Sequence, residues 1–144
     1  MIMTQEDKEL LLKDLCARLP YGVKIELTWW VMDEGTCMST TLEPDHIEQI
    51  RNDELGDVEI KPYLFPMSSM TEEQCYDFYC RFVENEIDYN DFKKYYFDGC
   101  LWNKVLTTID DCGDIIDWFN KNHFDYRGLI EKGLAIDATN LNVY

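Results

Sequence analysis

The chain is short of positive charge. It carries 13 Lys and Arg against 29 Asp and Glu, a formal net charge of −16 over 144 residues. Nucleic-acid backbones and anionic membranes are held through Lys and Arg, so direct binding to either is disfavoured. A basic protein remains an allowed partner. The deficit is not a tail, because residues 1–42, 43–70, 71–99 and 100–144 carry −3, −5, −5 and −3. Long apolar runs are also missing. None approaches the roughly 18–20 residues that span a bilayer. Met1-Ile2-Met3-Thr4-Gln5-Glu6-Asp7 has neither the basic nor the apolar part of a secretory leader. The expectation is a cytoplasmic protein in which the 6 Cys, at 16, 37, 75, 80, 100 and 112, stay reduced and serve mostly as small core residues. Internal repeats, low-complexity tracts and linkers are absent too, so residues 1–144 read as a single domain.

What is present argues for a fold. Apolar residues make up 46% and aromatics 14%, too much for a disordered chain. Thr4 with Asp7 resembles a capping box, and Leu11, Leu12, Leu15, Cys16 and Leu19 form one helical face, predicting a helix over 4–19 that Pro20 stops. Val23, Ile25, Leu27, Trp29 and Val31 alternate with polar residues as a half-buried strand does. Asp33-Glu34-Gly35 reads as a hairpin loop, and Thr36 to Leu42 as its return strand, giving a hairpin over 23–42. Residues 43–57 fit either a short helix from Pro44 with Ile47 and Ile50 inward or a polar loop. A short strand follows near 58–60, and the Pro-bearing run 61–66 must be extended. Thr71-Glu72-Glu73-Gln74 is a capping box opening a helix over 71–84, with Cys75, Phe78, Tyr79, Phe82 and Val83 inward. Further helices are predicted over 88–97 and 108–121. Strands early and helices late define an α+β class: a small antiparallel sheet packed with several amphipathic helices.

The residue patterns of catalysis and metal binding are thin. Cys75 and Cys80 have zinc-like separation but fall on a helix with no second pair, and His46 and His123 are isolated. Asp110-Asp111-Cys112-Gly113-Asp114 fails as a calcium loop, since its third position is Cys112 and its twelfth Lys121. None of the 7 glycines builds a phosphate cradle, and there is no G-x-S-x-G. No metal, cofactor or catalytic residue is assigned. His123, in Asn122-His123-Phe124-Asp125-Tyr126-Arg127, fits a helix end better than a general base.

The aromatics carry the most information. Trp29 and Trp30 are adjacent, so on a strand they point to opposite faces. If Trp29 faces the core, Trp30 joins Lys24, Glu26 and Thr28 on the other face, where an exposed aromatic marks an interface. The alternative, favoured by the number of amphipathic helices, is that a helix covers this face and both Trp are core. Tyr95, Tyr96 and Phe97 pose the same question. Trp30, Tyr95, Tyr96, His123, Tyr126 and Arg127 are the candidate binding residues.

Three strings are familiar as wholes: Leu15-Cys16-Ala17-Arg18-Leu19-Pro20-Tyr21-Gly22, Lys61-Pro62-Tyr63-Leu64-Phe65-Pro66-Met67-Ser68-Ser69-Met70-Thr71-Glu72-Glu73-Gln74, and Asn122-His123-Phe124-Asp125-Tyr126-Arg127-Gly128-Leu129-Ile130 through Ala135. They cover about a quarter of the chain, and residues 84–121 add nothing. Together they resemble a family of short uncharacterised gut-bacterial proteins carried on phage-like or other mobile elements. The resemblance implies a cytosolic bacterial setting and an accessory role in a mobile element, and transfers no catalytic residue. The combined expectation is a non-enzymatic acidic protein that binds or regulates another protein. The alternatives are a nucleic-acid mimic, for which Asp110, Asp114 and Asp117 form a short acidic row, and a small enzyme with a Cys/His site.

Overall fold

The structure is a computed structural model that describes residues 3–56, 58–82, 88–92 and 113–144. The fold is α+β, with five helices and a small mixed sheet of five strands among those residues. The chain divides into two compact units, Met1–Met67 with Phe119–Tyr144, and Ser68–Trp118.

In the first unit, helix α1 spans Gln5–Arg18, and the Thr4 hydroxyl caps it by accepting from the Asp7 amide at 3.1 Å. Its buried stripe is Leu11, Asp14, Leu15 and Arg18. Two of the four positions are charged, and Cys16, expected inward, is exposed. A 3₁₀ turn over Leu19–Tyr21 leads to Gly22 at φ 67°, a left-handed exit that suits glycine.

Strands β1 (Lys24–Val31) and β2 (Glu34–Thr41) form an antiparallel hairpin. Its turn is Met32-Asp33, both at positive φ (52° and 67°), rather than the expected Asp33-Glu34-Gly35. Gly35 stays in the ladder opposite Trp30 because the indole ring lies over it: a Cβ there would sit 2.9 Å from Trp30 Cζ3. Helix α2 (Pro44–Arg51) resolves the ambiguous segment. It buries Ile47 and Ile50, and Glu43 and His46 form its capping box.

Strand β3 (Glu59–Pro66) merges the expected short strand and extended Pro run. It pairs antiparallel with β1 over Glu59 to Pro62, where Ile25 faces Pro62. Proline is tolerated because of the alternation of the ladder. Counting from the turn-closing pair Val31 and Glu34, Ile25 hydrogen-bonds toward β2, so its pairing with Pro62 needs no N–H. Two short strands then join β3 in parallel and make the sheet mixed: β4 (Phe124–Asp125) beside Phe65 and Pro66, and β5 (Ile136–Asp137) beside Tyr63 and Leu64. The core gathers Leu11, Leu15, Ile25, Ile47, Ile60 and Leu64 with Leu129 and Ala135 of the C-terminal segment.

In the second unit, α3 (Glu72–Phe82) begins at the predicted capping box. Thr71 Oγ1 accepts from the Gln74 amide at 3.2 Å, and Gln74 Oε1 accepts from the Thr71 amide at 2.9 Å. Cys75, Phe78 and Tyr79 are buried, and Phe78 meets the Trp118 ring edge-on at 5.2 Å. Burial pushes the Cys75 thiol up to about 11. Trp118 belongs to the helix Gly113–Lys121, and its Nε1–H donates to Asp77 at 3.2 Å. The one-turn helix α4 (Tyr89–Phe92) starts at Asp88, whose carboxylate accepts from the Asn90 amide at 3.1 Å. With α4 assigned, Gly113–Lys121 is α5. Residues 83–84, 93–97 and 108–112 of the predicted helices lie outside the described residues, as do Val83, Tyr95, Tyr96, Phe97, Cys100 and Cys112. Among the four described cysteines only Cys75 is buried, so core packing does not account for Cys16 and Cys37.

Candidate interaction surface

The hairpin shapes the most exposed apolar surface of the first unit. Among the described residues, four of the eight exposed large hydrophobics lie within nine positions: Trp30, Val31, Met32 and Met38. Trp30 is 56% exposed, so the reading in which both Trp are core does not hold for Trp30. Strand alternation puts Trp30 on one face of the hairpin and Val31 and Met38 on the other, so both faces of its distal half are open. Met32, at the turn, is 95% exposed.

The edge formed by β2 is equally open. The sheet runs β2-β1-β3-β4, so β2 is terminal. All eight of its residues pair with β1 without a bulge, and Glu34 is its one charged residue. Edge strands normally carry lysine, proline or a bulge to deter further pairing, and β2 has none. The two-residue turn makes Val31 and Glu34 a hydrogen-bonded pair, so Gly35, Cys37, Ser39 and Thr41 direct their amides and carbonyls away from β1. The hairpin is acidic as well: its ionic groups are Glu26, Asp33 and Glu34 against Lys24.

The other described candidates gather inside the first unit. Arg18 and Asp14 are fully buried, joined at 2.7 Å, and Arg127 Nη1 reaches the second Asp14 oxygen at 3.0 Å. Arg18 also donates to the Phe124 carbonyl at 2.5 Å. Tyr126 lies beneath both guanidinium groups, 5.3 Å from Arg18 and 4.6 Å from Arg127, and donates to Asn120 at 3.0 Å. The Asp125 carboxylate accepts from the Leu129 and Ile130 amides, both at 2.9 Å. His123 stacks on Tyr144 at 3.8 Å, and burial, with the Arg18 charge, holds its pKa down at about 4. Tyr144 in turn donates to the Tyr63 carbonyl at 2.7 Å and accepts from the Lys24 amide at 2.9 Å. Burial raises its phenol to about 12. Arg18 Nη1 and His123 Nδ1 are buried without a hydrogen-bond partner.

These contacts fasten the segment after α5 to α1 and to the sheet. Removing Asp14 would leave two guanidinium groups uncompensated, one of them fully buried, which is the costly way to break an ion pair. Asp14 and Arg18 were missed in the sequence, although they sit at i+3 and i+7 from Leu11, on core positions of a helix. Val31, Met32 and Met38 were also missed. For Met38 the signal was the lysine-free, proline-free run of β2, whereas Val31, expected inward with Ile25 and Leu27, is 58% exposed because it closes the turn beyond the covered part of β1.

The remaining motifs contribute no site. His46 Nδ1 accepts from the Glu43 amide at 3.0 Å within a helix cap. Asp114 and Asp117 are exposed on α5, and Asp110 lies outside the described residues. Among the described residues, no three His, Cys, Asp or Glu side chains could hold a metal ion, and no helix is long and apolar enough to cross a membrane. A groove of about 800 Å³ in the first unit is lined by α1, the loop after α2, β3 and Trp30. Its charges balance, with Lys8, Lys61 and Lys132 against Asp7, Asp53 and Glu59. Comparison with protein-family models, curated proteins and solved structures finds no match for this chain.

Proposed function

We propose that this chain is a non-enzymatic acidic protein that binds and regulates another, basic protein through its β1–β2 hairpin. The setting is the bacterial cytoplasm and the role is accessory to a mobile element, as the family resemblance implies. The observation that carries the reading is the exposure of Trp30, Val31, Met32 and Met38 in one hairpin of a chain with net charge −16. Concentrated exposed apolar surface is the usual mark of a protein interface. Surrounding acids add steering toward a basic partner.

The test is a quantitative pull-down from bacterial lysate at low salt, comparing the native chain with Trp30→Ala and Met32→Asp. Basic proteins enriched by the native chain and lost with either variant support the reading. An identical set of captured proteins from native and variant chains overturns it. Truncating an aromatic that anchors an interface as a hot spot costs about 2 kcal/mol or more, roughly a thirtyfold loss of affinity.

A further inference from the structure

The geometry points to strand addition: the partner contributes an extended, basic segment that pairs with the outer edge of β2 and continues the sheet. This rests on the protein-binding reading above and specifies the mode of binding and the chemistry of the bound segment.

Three features converge on it. The four residues Gly35, Cys37, Ser39 and Thr41 present a regular outward row of backbone donors and acceptors, unbroken by a bulge. Such a row is the template used when a peptide joins a sheet edge. Side chains on either side of the row differ in kind. Thr36, Met38 and Thr40 share the face of Val31, where the added strand's apolar side chains would shelter exposed hydrophobic surface. Gly35, Cys37 and Ser39 share the face of Trp30, whose ring over Gly35 lies next to the open edge. A lysine or arginine on that face of the incoming strand reaches the indole as a cation–π partner. The third feature is charge. Asp33 lies in the turn, Glu34 sits beside it on the Val31 face, and Glu26 lies one strand inward on the Trp30 face, against Lys24, which donates to Thr41 at the far end of the edge at 3.1 Å. The occupant therefore alternates basic and aliphatic residues. A second copy of the chain fits poorly, because it would bring another −16 to the same edge.

The experiment uses the intact protein and an end-blocked eight-residue peptide of alternating Lys and Val, followed by tryptophan fluorescence at low salt. One-to-one saturable binding is expected. N-methylation of the peptide amides that face β2 should weaken it at least about tenfold, while methylating the opposite set should leave it within about twofold. On the protein side, Cys37→Pro removes one outward N–H and none of the bonds to β1, a placement edge strands accept. It should lose the peptide while keeping its thermal transition, and Cys37→Ser should bind as the native chain does. Should Cys37→Pro fail to fold, the methylated peptides decide alone on the native protein.

Equal sensitivity to both methylation sets, native-like binding by a folded Cys37→Pro variant, or no saturable binding overturns strand addition. So does a dimer of the free protein in sedimentation that Cys37→Pro dissolves, since β2 would then be occupied by a second copy. Partner capture that is lost with Trp30→Ala but kept with Cys37→Pro would sink strand addition and leave the protein-binding reading standing.

Discussion

His123 sits at φ 62° between α5 and β4, with its ring against Tyr144. Burial first, and then the Arg18 charge, lower its pKa from 6.5 to about 4. In the unfolded chain the imidazole takes up a proton below about 6.5, whereas in the folded chain it stays neutral until about 4. The unfolded state therefore binds more protons within that window. The His123 contribution to stability is present above about 6.5 and is lost as the pH falls toward 4. Because the ring is only partly buried, the loss expected is roughly 1–2 kcal/mol. His123→Phe keeps a ring to stack on Tyr144 but cannot titrate. In thermal unfolding between pH 4 and 7 the native protein should lose that amount relative to the variant as the pH falls, whichever is the more stable at pH 7. Parallel curves across that range would show that His123 titrates normally. The buried Asp14–Arg18–Arg127 knot beside it explains why such chemistry at residue scale was hard to read. Asp14 and Arg18 occupy apolar positions of a helix, and what makes them acceptable there comes from residue 127, over a hundred positions later.

At the scale of elements, the hairpin turn is strained in a way that identifies its own test. A two-residue turn with both residues at positive φ matches the twist of the strands, and Asn-Gly is its preferred pair. Here Met32 and Asp33 fill it. Replacing them together, Met32→Asn with Asp33→Gly, relieves both left-handed positions and should raise stability by about 1 kcal/mol. Chemical denaturation would show a higher midpoint at unchanged slope. A lower midpoint would mean that Met32 packs usefully against something despite its exposure. Elements with local signals were legible in advance: the Thr4 and Thr71 caps, the alternation of β1, and Ile47 and Ile50 on α2. The hairpin turn was misplaced by one residue because glycine usually marks the turn, whereas Gly35 is needed beneath the Trp30 ring. The exposure of Trp30 was the central feature of the candidate surface, and the sequence left it open between partner and core. Alternation fixes which face a side chain points to, but only the positions of the helices decide whether that face is covered.

At the scale of the molecule, the charge of −16 opposes compactness, and the first unit is assembled from both ends of the chain. That discontinuity carries no sequence signature, because it depends on Leu129 and Ala135 entering the core formed by α1 and the sheet. Salt separates the two electrostatic contributions. Exposed pairs such as Arg81 with Asp77 at 2.9 Å contribute little and weaken when screened. Self-repulsion of the whole surface also weakens when screened, and here it acts on a large excess of one sign. The Debye length falls from about 30 Å at 0.01 M salt to about 8 Å at 0.15 M, so the repulsive sum is lost faster than close pairs are. Raising NaCl over that range at pH 7 should therefore stabilise the protein by about 1 kcal/mol, seen as a rise of roughly 3–5 °C in Tm. The salt effect should flatten as the pH approaches the isoelectric point near 4.3, where the excess charge is gone. A Tm that falls with salt at pH 7 would mean that local pairs outweigh the excess, and that the acids are arranged for attraction within the chain rather than toward a basic partner.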